Sequence, residues 1–359
     1  MKPRVIVMIA AGVFLAAIVL WFLSVFGHQG ARRELTAQEQ ALELVERAKK
    51  EADADSRLSL CDRAIQLDPL CVPAFYRRGI IFRDKRMYER AIEDQSYVIH
   101  LSPLYAAAFY ERSCSYLEKN LLTEALADVN RAMEIKPGDD LYFDLRADIY
   151  ARQKAFDRAL ADQGKAINLS PRNALHYRNR ANIFALMRQF DKGIQDADRA
   201  IRLDPSKAIA FRVRGLLLLG KGEVENSLKD FDKAIAMDPK DAASWEQRAS
   251  AYREKGDLDA SIADCNKAIS IDPTFTSAWI GRSYAYGLKA DLPKAVEDMT
   301  EAIRLDPRNP NRYFSRSRMY VSLERYDEAW EDIRAGRKLG GEPEAKDIDE
   351  LMKASGRSE

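Results

Sequence analysis

Hydrophobic positions along this chain follow two regimes. From Val5 to Phe26 they run together for 22 residues, broken only by small groups such as Gly12 and Ser24. From Gln38 onward they recur three and four residues apart between charged positions, the spacing of amphipathic helices. The first regime predicts one transmembrane helix, because at about 1.5 Å per residue it spans roughly 33 Å. Lys2 and Arg4 precede it, Trp21 lies towards its far end, and Arg32 and Arg33 follow. A cleaved signal peptide would have a shorter apolar region and a small-residue cleavage site, and the sequence offers only a weak Val25-Phe26-Gly27. Residues 1–28 therefore read as a tail and membrane anchor, and residues 29–37 as a tether. The basic groups on the two sides of the span nearly balance. A short basic tail ahead of it favours the inside, which places the rest of the chain outside the cytoplasm.

The second regime keeps a strict register. Prolines stand at Pro69, Pro103, Pro137, Pro171, Pro205, Pro239, Pro273 and Pro307, each 34 residues after the last. Six residues after each proline comes an aromatic (Phe75 after the first proline, Tyr313 after the last), four further a small residue (Gly79 to Ser317), and three further a large apolar one (Phe82 to Tyr320). Those offsets lie on one helical face, and the small residue lets another helix approach. A second block carries Ala91, Ala125, Ala159, Gly193, Ser227, Ser261, Ala295 and Ala329, then pairs such as Ala200-Ile201 and Ala268-Ile269. The next proline ends it, since proline cannot continue the hydrogen-bond ladder. Each unit thus predicts two helices.

Helix pairs of 34 residues with an aromatic–small–aromatic first helix, an alanine-rich second helix and a closing proline resemble the tetratricopeptide repeat family. The resemblance covers residues 38–343, about nine units of which the first is degenerate. It implies an all-α chain: a right-handed α-solenoid of stacked helix–turn–helix repeats, here preceded by one transmembrane helix, with a concave groove lined mainly by first helices. Residues 344–359 read as a capping helix and tail over the last exposed apolar face.

One charged row accompanies the register. Arg78, Arg112, Arg146, Arg180, Arg214, Arg248, Arg282 and Arg316 each precede the small residue. Sixteen residues after each stands an aspartate: Asp94, Asp128, Asp162, Asp196, Asp230, Asp264, Asp298 and Asp332. In the first unit the corresponding residues are Leu44 and Leu60, so both charges vanish together. Joint presence and joint loss predict an ion pair between the two helices of a unit rather than a row of ligand-binding arginines. The arginine stem would lie over the core and its fork would reach the carboxylate at the rim.

Composition narrows the function classes. The net charge of +1 argues against nucleic acid as a partner, because phosphate binding needs a basic excess. Cys61, Cys71, Cys114 and Cys265 have no CxxC spacing and read as free, mostly buried thiols. His28, His100 and His176 read as solvated, with no nucleophile or metal partner fixed by spacing. No catalytic residue, metal site or cofactor is expected.

By the resemblance, function belongs to first-helix residues that vary between units and face the groove. These are Tyr76, Ile80, Tyr110, Cys114, Asp144, Asp148, Arg178, Asn182, Arg212, Leu216, Glu246, Ile280, Tyr284, Leu288 and Phe314. Aromatic anchors with arginines suit an extended or helical peptide. Family members that bind chaperone tails grip a terminal carboxylate with a lysine and asparagine in one unit, an asparagine in the next and two basic residues in the third. Arg178 and Asn182 match loosely, but Val213, Ala243 and Gln247 do not, so no chaperone carboxylate clamp is expected. The sequence supports a membrane-anchored, non-enzymatic scaffold for protein or peptide segments. A regulatory or sensor subunit of a membrane enzyme complex is the alternative.

Overall fold

The computed structural model describes residues 35–357, so the expected span Val5–Phe26 lies outside the described residues. Among those described there are 19 helices and no strand, and no helix is long and apolar enough to cross a membrane. The described residues form two compact units, 35–115 and 116–357. The first holds the helix pairs Ala37–Lys50 with Ala54–Leu67 and Val72–Asp84 with Tyr88–Leu101. In the second, Asp140–Arg152 pairs with Phe156–Leu169, Ala174–Leu186 with Phe190–Leu203, and Ala208–Lys221 with Val224–Met237. Ala242–Lys255 with Leu258–Ile271, Thr276–Leu288 with Leu292–Leu305, and Pro310–Ser322 with Tyr326–Lys338 complete the series.

Local chemistry sets these boundaries. The first helix begins at Ala37, one residue ahead of the expected Gln38, because Thr36 and Glu39 close a reciprocal capping box. Second helices stop two residues before each closing proline. The intervening residue is forced out of the helical region by the proline ring, as at Asp204 (φ −142°, ψ 89°). The aromatic after the proline then ties the turn down: Trp245 and Trp279 donate their indole N–H to the carbonyls of Pro239 and Pro273, at 3.1 and 3.0 Å. Between the helices of a repeat one residue turns left-handed at a fixed register: Arg86, Asn120, Lys154, Arg188, Gly222, Gly256, Ala290 and Glu324. Only two of these are glycine. The other six accept a cost of about 1 kcal/mol each, so the packing of the helix pair, rather than the turn residue, decides the turn.

Packing follows the small residues. Gly215 lies so close to Phe231 that a Cβ there would fall 2.8 Å from the ring, and Phe231 is fully buried. In the degenerate first pair, Leu44 is buried and Leu60 packs against the same cluster as Val45 and Ala64, so an apolar contact replaces the charge pair. At the other end the helix Ala345–Ser355 inserts Leu351, which is fully buried, among Trp330, Ile333 and Phe314. All four cysteines are free, with Cys114 the least buried.

Candidate functional site

Seven of the arginine–aspartate pairs lie within a single unit, and their geometry is uniform. Arg180 donates Nε and one terminal nitrogen to the two oxygens of Asp196 at 2.6 and 2.8 Å, and Arg248 does the same to Asp264 at 2.7 and 2.8 Å. Arg78–Asp94, Arg146–Asp162, Arg214–Asp230, Arg282–Asp298 and Arg316–Asp332 repeat this fork. Arg112 and Asp128 belong one to each unit, and their pairing rests on the sequence pattern. Aromatic neighbours one turn away frame the guanidinium: Arg78 lies 5.2 Å from the ring of Phe75 and 5.7 Å from that of Phe82. Burial pushes the Asp94 and Asp332 carboxyls up despite the pull of their arginines, while the arginines themselves are held more firmly charged.

The arginine does more than the sequence pattern suggested. Its remaining terminal nitrogen reaches back 16 residues, to the second helix of the preceding repeat. Arg78 bonds Asp62, Arg146 bonds Asn130, Arg214 bonds Asp198, Arg248 bonds Asp232 and Arg316 bonds Thr300, at 2.7 to 2.8 Å. The guanidinium thus joins three helices and two repeats. Arg180 is the exception, because the corresponding residue is Gly164, where an added Cβ would meet nothing within 4 Å. Gly164→Asn should therefore stabilise the chain by about 1 kcal/mol, from helix propensity and the restored bond together. Chemical denaturation checks this, and the gain should shrink to the propensity part when Arg180 is leucine.

In the second unit the first helices of consecutive repeats touch one another, from Asp140–Arg152 through to Thr276–Leu288, so one face presents residues from successive repeats side by side. Three expectations need correction there. Asp144 is buried and fully engaged: Gln163 and Asn179 donate to it at 2.7 and 2.6 Å, and His176 stands at 3.2 Å. His176 is not solvated but fully buried, between Asp144 and Asp140, the latter at 2.9 Å. Burial works to lower its pKa, and the bonds to the two aspartates outweigh it, so the imidazole is raised above its ordinary value. Phe314 is 4% exposed, because Gly336 and Gly341 leave room for its ring in the last repeat's core.

The other expected residues stay at the surface of this face. Arg178 is half-buried and bonds the amide oxygen of Asn179 at 2.9 Å. Burial lowers its pKa, Asp144 opposes this, and the nearby Arg212 adds to the lowering. Arg212 pairs with Asp241 at 3.1 Å. Glu246, in the next repeat, is pushed up to about 7 by burial, against the pull of Arg253 and Arg212. Asp148 is exposed, 3.7 Å from Arg152. Asn182 and Leu216 line an open cleft of about 680 Å³ with Leu186, Leu219 and Phe190. Further along, Tyr284 and Leu288 are exposed, while Ile280 packs against the core. In the first unit Tyr76 meets Tyr105 with ring centroids 5.2 Å apart, and Ile80, Tyr110 and Cys114 are half-buried beside the Arg83–Glu111 ion pair. No group of His, Cys, Asp and Glu among the described residues is arranged to hold a metal ion.

The profile described as tetratricopeptide repeat matches residues 76–140, 178–242 and 212–274, in register with the proline ruler. The matched segments are similar to tetratricopeptide repeats. Solved structures share the fold at low identity. A tetratricopeptide repeat protein from Parabacteroides merdae is similar with a TM-score of 0.54 at 18% identity, over 66% of this chain and 93% of that one. A chain of the Cut9–Hcn1 hetero-tetramer of APC/C is similar with a TM-score of 0.62 at 13% identity, over 88% of this chain and 63% of its own. No curated protein sequence matches the chain. Tetratricopeptide repeats generally mediate protein–protein contacts as scaffolds, and no catalytic family is indicated.

Proposed function

We propose that this chain is a membrane-anchored scaffold whose first-helix face binds extended segments of a protein partner, with the repeats outside the cytoplasm. One observation carries the binding reading. Charges that recur at every repeat are consumed within the fold, as in the Arg180–Asp196 fork. The charges and apolar groups that differ between repeats, Arg178, Arg212, Leu216, Tyr284 and Leu288, stay open or half-open on one face. A face of that kind offers aromatic and arginine anchors without a buried reactive centre. The anchor rests on the apolar run Val5–Phe26 and its basic flanks.

A photo-crosslinking amino acid at Tyr284 or Leu216, in cells, should capture one discrete partner. The same group on the opposite helices, at exposed Lys229 or Lys267, should not. Equal labelling from both faces would reject the binding face. Protease applied to the extracytoplasmic side of the membrane should digest a C-terminal tag, and a tag protected until the membrane is permeabilised would reverse the orientation.

A further inference from the structure

Arg178 and Arg212 are neighbours on adjacent first helices, yet their counter-charges differ. Arg212 has Asp241 at 3.1 Å. Arg178 has only the neutral amide of Asn179, and no carboxylate of the described residues stands within ion-pair reach of it. Asp144, the acid whose charge acts on Arg178, spends both oxygens on Gln163, Asn179 and His176. A half-buried guanidinium beside another cation, without its own anion, is an unfavourable arrangement that a bound carboxylate relieves. A cavity of about 380 Å³ opens beside Arg178, lined by Leu175, Ile209, the basic Arg172 and Lys207 and the acidic Asp204, whose carboxylate accepts from Ser206.

Apolar surface lies along the same helix face. Arg178, Asn182 and Leu186 follow one another a turn apart, so Arg178 and Leu186 are separated by about 12 Å along the axis. Leu186 is 61% exposed, and the cleft it shares with Leu216, Leu219 and Phe190 is large enough for a leucine-sized side chain. Asn182, between the two, offers an amide to a peptide backbone. An extended chain advances about 3.3 Å per residue, so both features are met by residues three or four positions apart.

Resting on the reading of this face as a peptide-binding one, we propose that Arg178 and Arg212 hold the side-chain carboxylate of one acidic residue in an extended partner segment. A large apolar residue three or four positions away from that acid enters the cleft of Leu186, Leu216 and Leu219. The face continues into further repeats on both sides of the pair, so the carboxylate belongs to a side chain within a continuing segment. Asp148 on one side, beside Arg152, and Glu246 on the other add carboxyls and no free cation to the face, so the segment carries a single acid and not an acidic run.

The test is selection of phage-displayed random twelve-residue peptides on the full-length chain in detergent, followed by binding of fluorescein-labelled synthetic copies. The expected result is enrichment of one Asp or Glu paired with Leu, Ile, Met or Phe at a spacing of three or four. Arg178→Gln should then weaken binding at least tenfold, Leu216→Ser similarly, and exchanging the peptide's acid for its amide should remove the effect of Arg178→Gln. Amidating the peptide's C-terminus should change nothing, and a tenfold loss on amidation would assign the site to a chain terminus and overturn the proposal. Peptides that lack an acid, or that ignore Arg178→Gln while losing binding on Tyr284→Ser, would overturn it and leave the binding face standing. No enrichment would also overturn it, whereas the binding face stands or falls on the crosslinking from Tyr284. Arg178 supports no element of the fold beyond its bond to Asn179, so a thermal melt unchanged from wild type keeps the substitution interpretable.

Discussion

Arg180→Leu lowers the stability of its part of the solenoid by about 3 kcal/mol, and adding Asp196→Leu restores most of that loss. The single change leaves a buried aspartate, with 7% of its surface exposed, facing leucine where two charge-assisted hydrogen bonds stood. The double change recreates what the first helix pair already contains, Leu44 buried beside Leu60. Arg180 is the arginine to use because Gly164 deprives it of the bond to the preceding repeat, so the cycle isolates one pair. At Arg248 the same substitution would also release Asp232. Denaturant titration followed by circular dichroism on all four variants decides the matter. Strictly additive losses would mean that the two side chains contribute independently.

Glu246→Gln stabilises the protein by about 2 kcal/mol at pH 8.5 and changes little at pH 5. Burial raises the folded pKa of Glu246 from the ordinary 4.5 to about 7, so the folded chain binds more protons than the unfolded chain between those values. The favourable contribution of the protonated acid is complete below about pH 4.5 and is lost as pH rises through 7. Above that, the folded state holds a half-buried carboxylate that only Arg253 and Arg212 compensate. Glutamine removes the charge while keeping the shape. His176, raised by Asp144 and Asp140, likewise loses its contribution as pH rises, so the informative quantity is the difference between wild type and variant at each pH. Thermal melts at the two pH values give it, and a difference independent of pH would show that Glu246 is not shifted.

The sequence carried more of the scaffold than of the site. Each closing proline and the aromatic six residues on mark a boundary through covalent and steric effects confined to a few residues, so they are readable in one dimension. The fork from Arg180 to Asp196 is long-range, but it recurs with every unit, and repetition exposes it. The bond back to Asp62, Asn130 or Thr300 also recurs at a fixed offset; its signal is a polar residue 16 positions before each arginine, concealed by the change of residue type and by Gly164. Phe314 and His176 misled for a different reason. Phe314 occupies the same register as Glu246 and Ile280, yet Gly336 and Gly341 draw its ring inward where the capping helix follows. His176 looks isolated along the chain because its partners Asp140 and Asp144 lie in the preceding repeat.

By itself the sequence determined the repeat, its helix boundaries and its recurrent charge pair, because each depends on local sterics or on a pattern written eight times. Only the tertiary structure decided which surface charges remain available. Asp144 and Arg178 hold the same register position in consecutive repeats, and their availability is set by neighbours: both oxygens of Asp144 are consumed by Gln163, Asn179 and His176, while Arg178 is left with an amide. Solvation and pairing are set by atoms far apart along the chain, and no reading of one helix face supplies them.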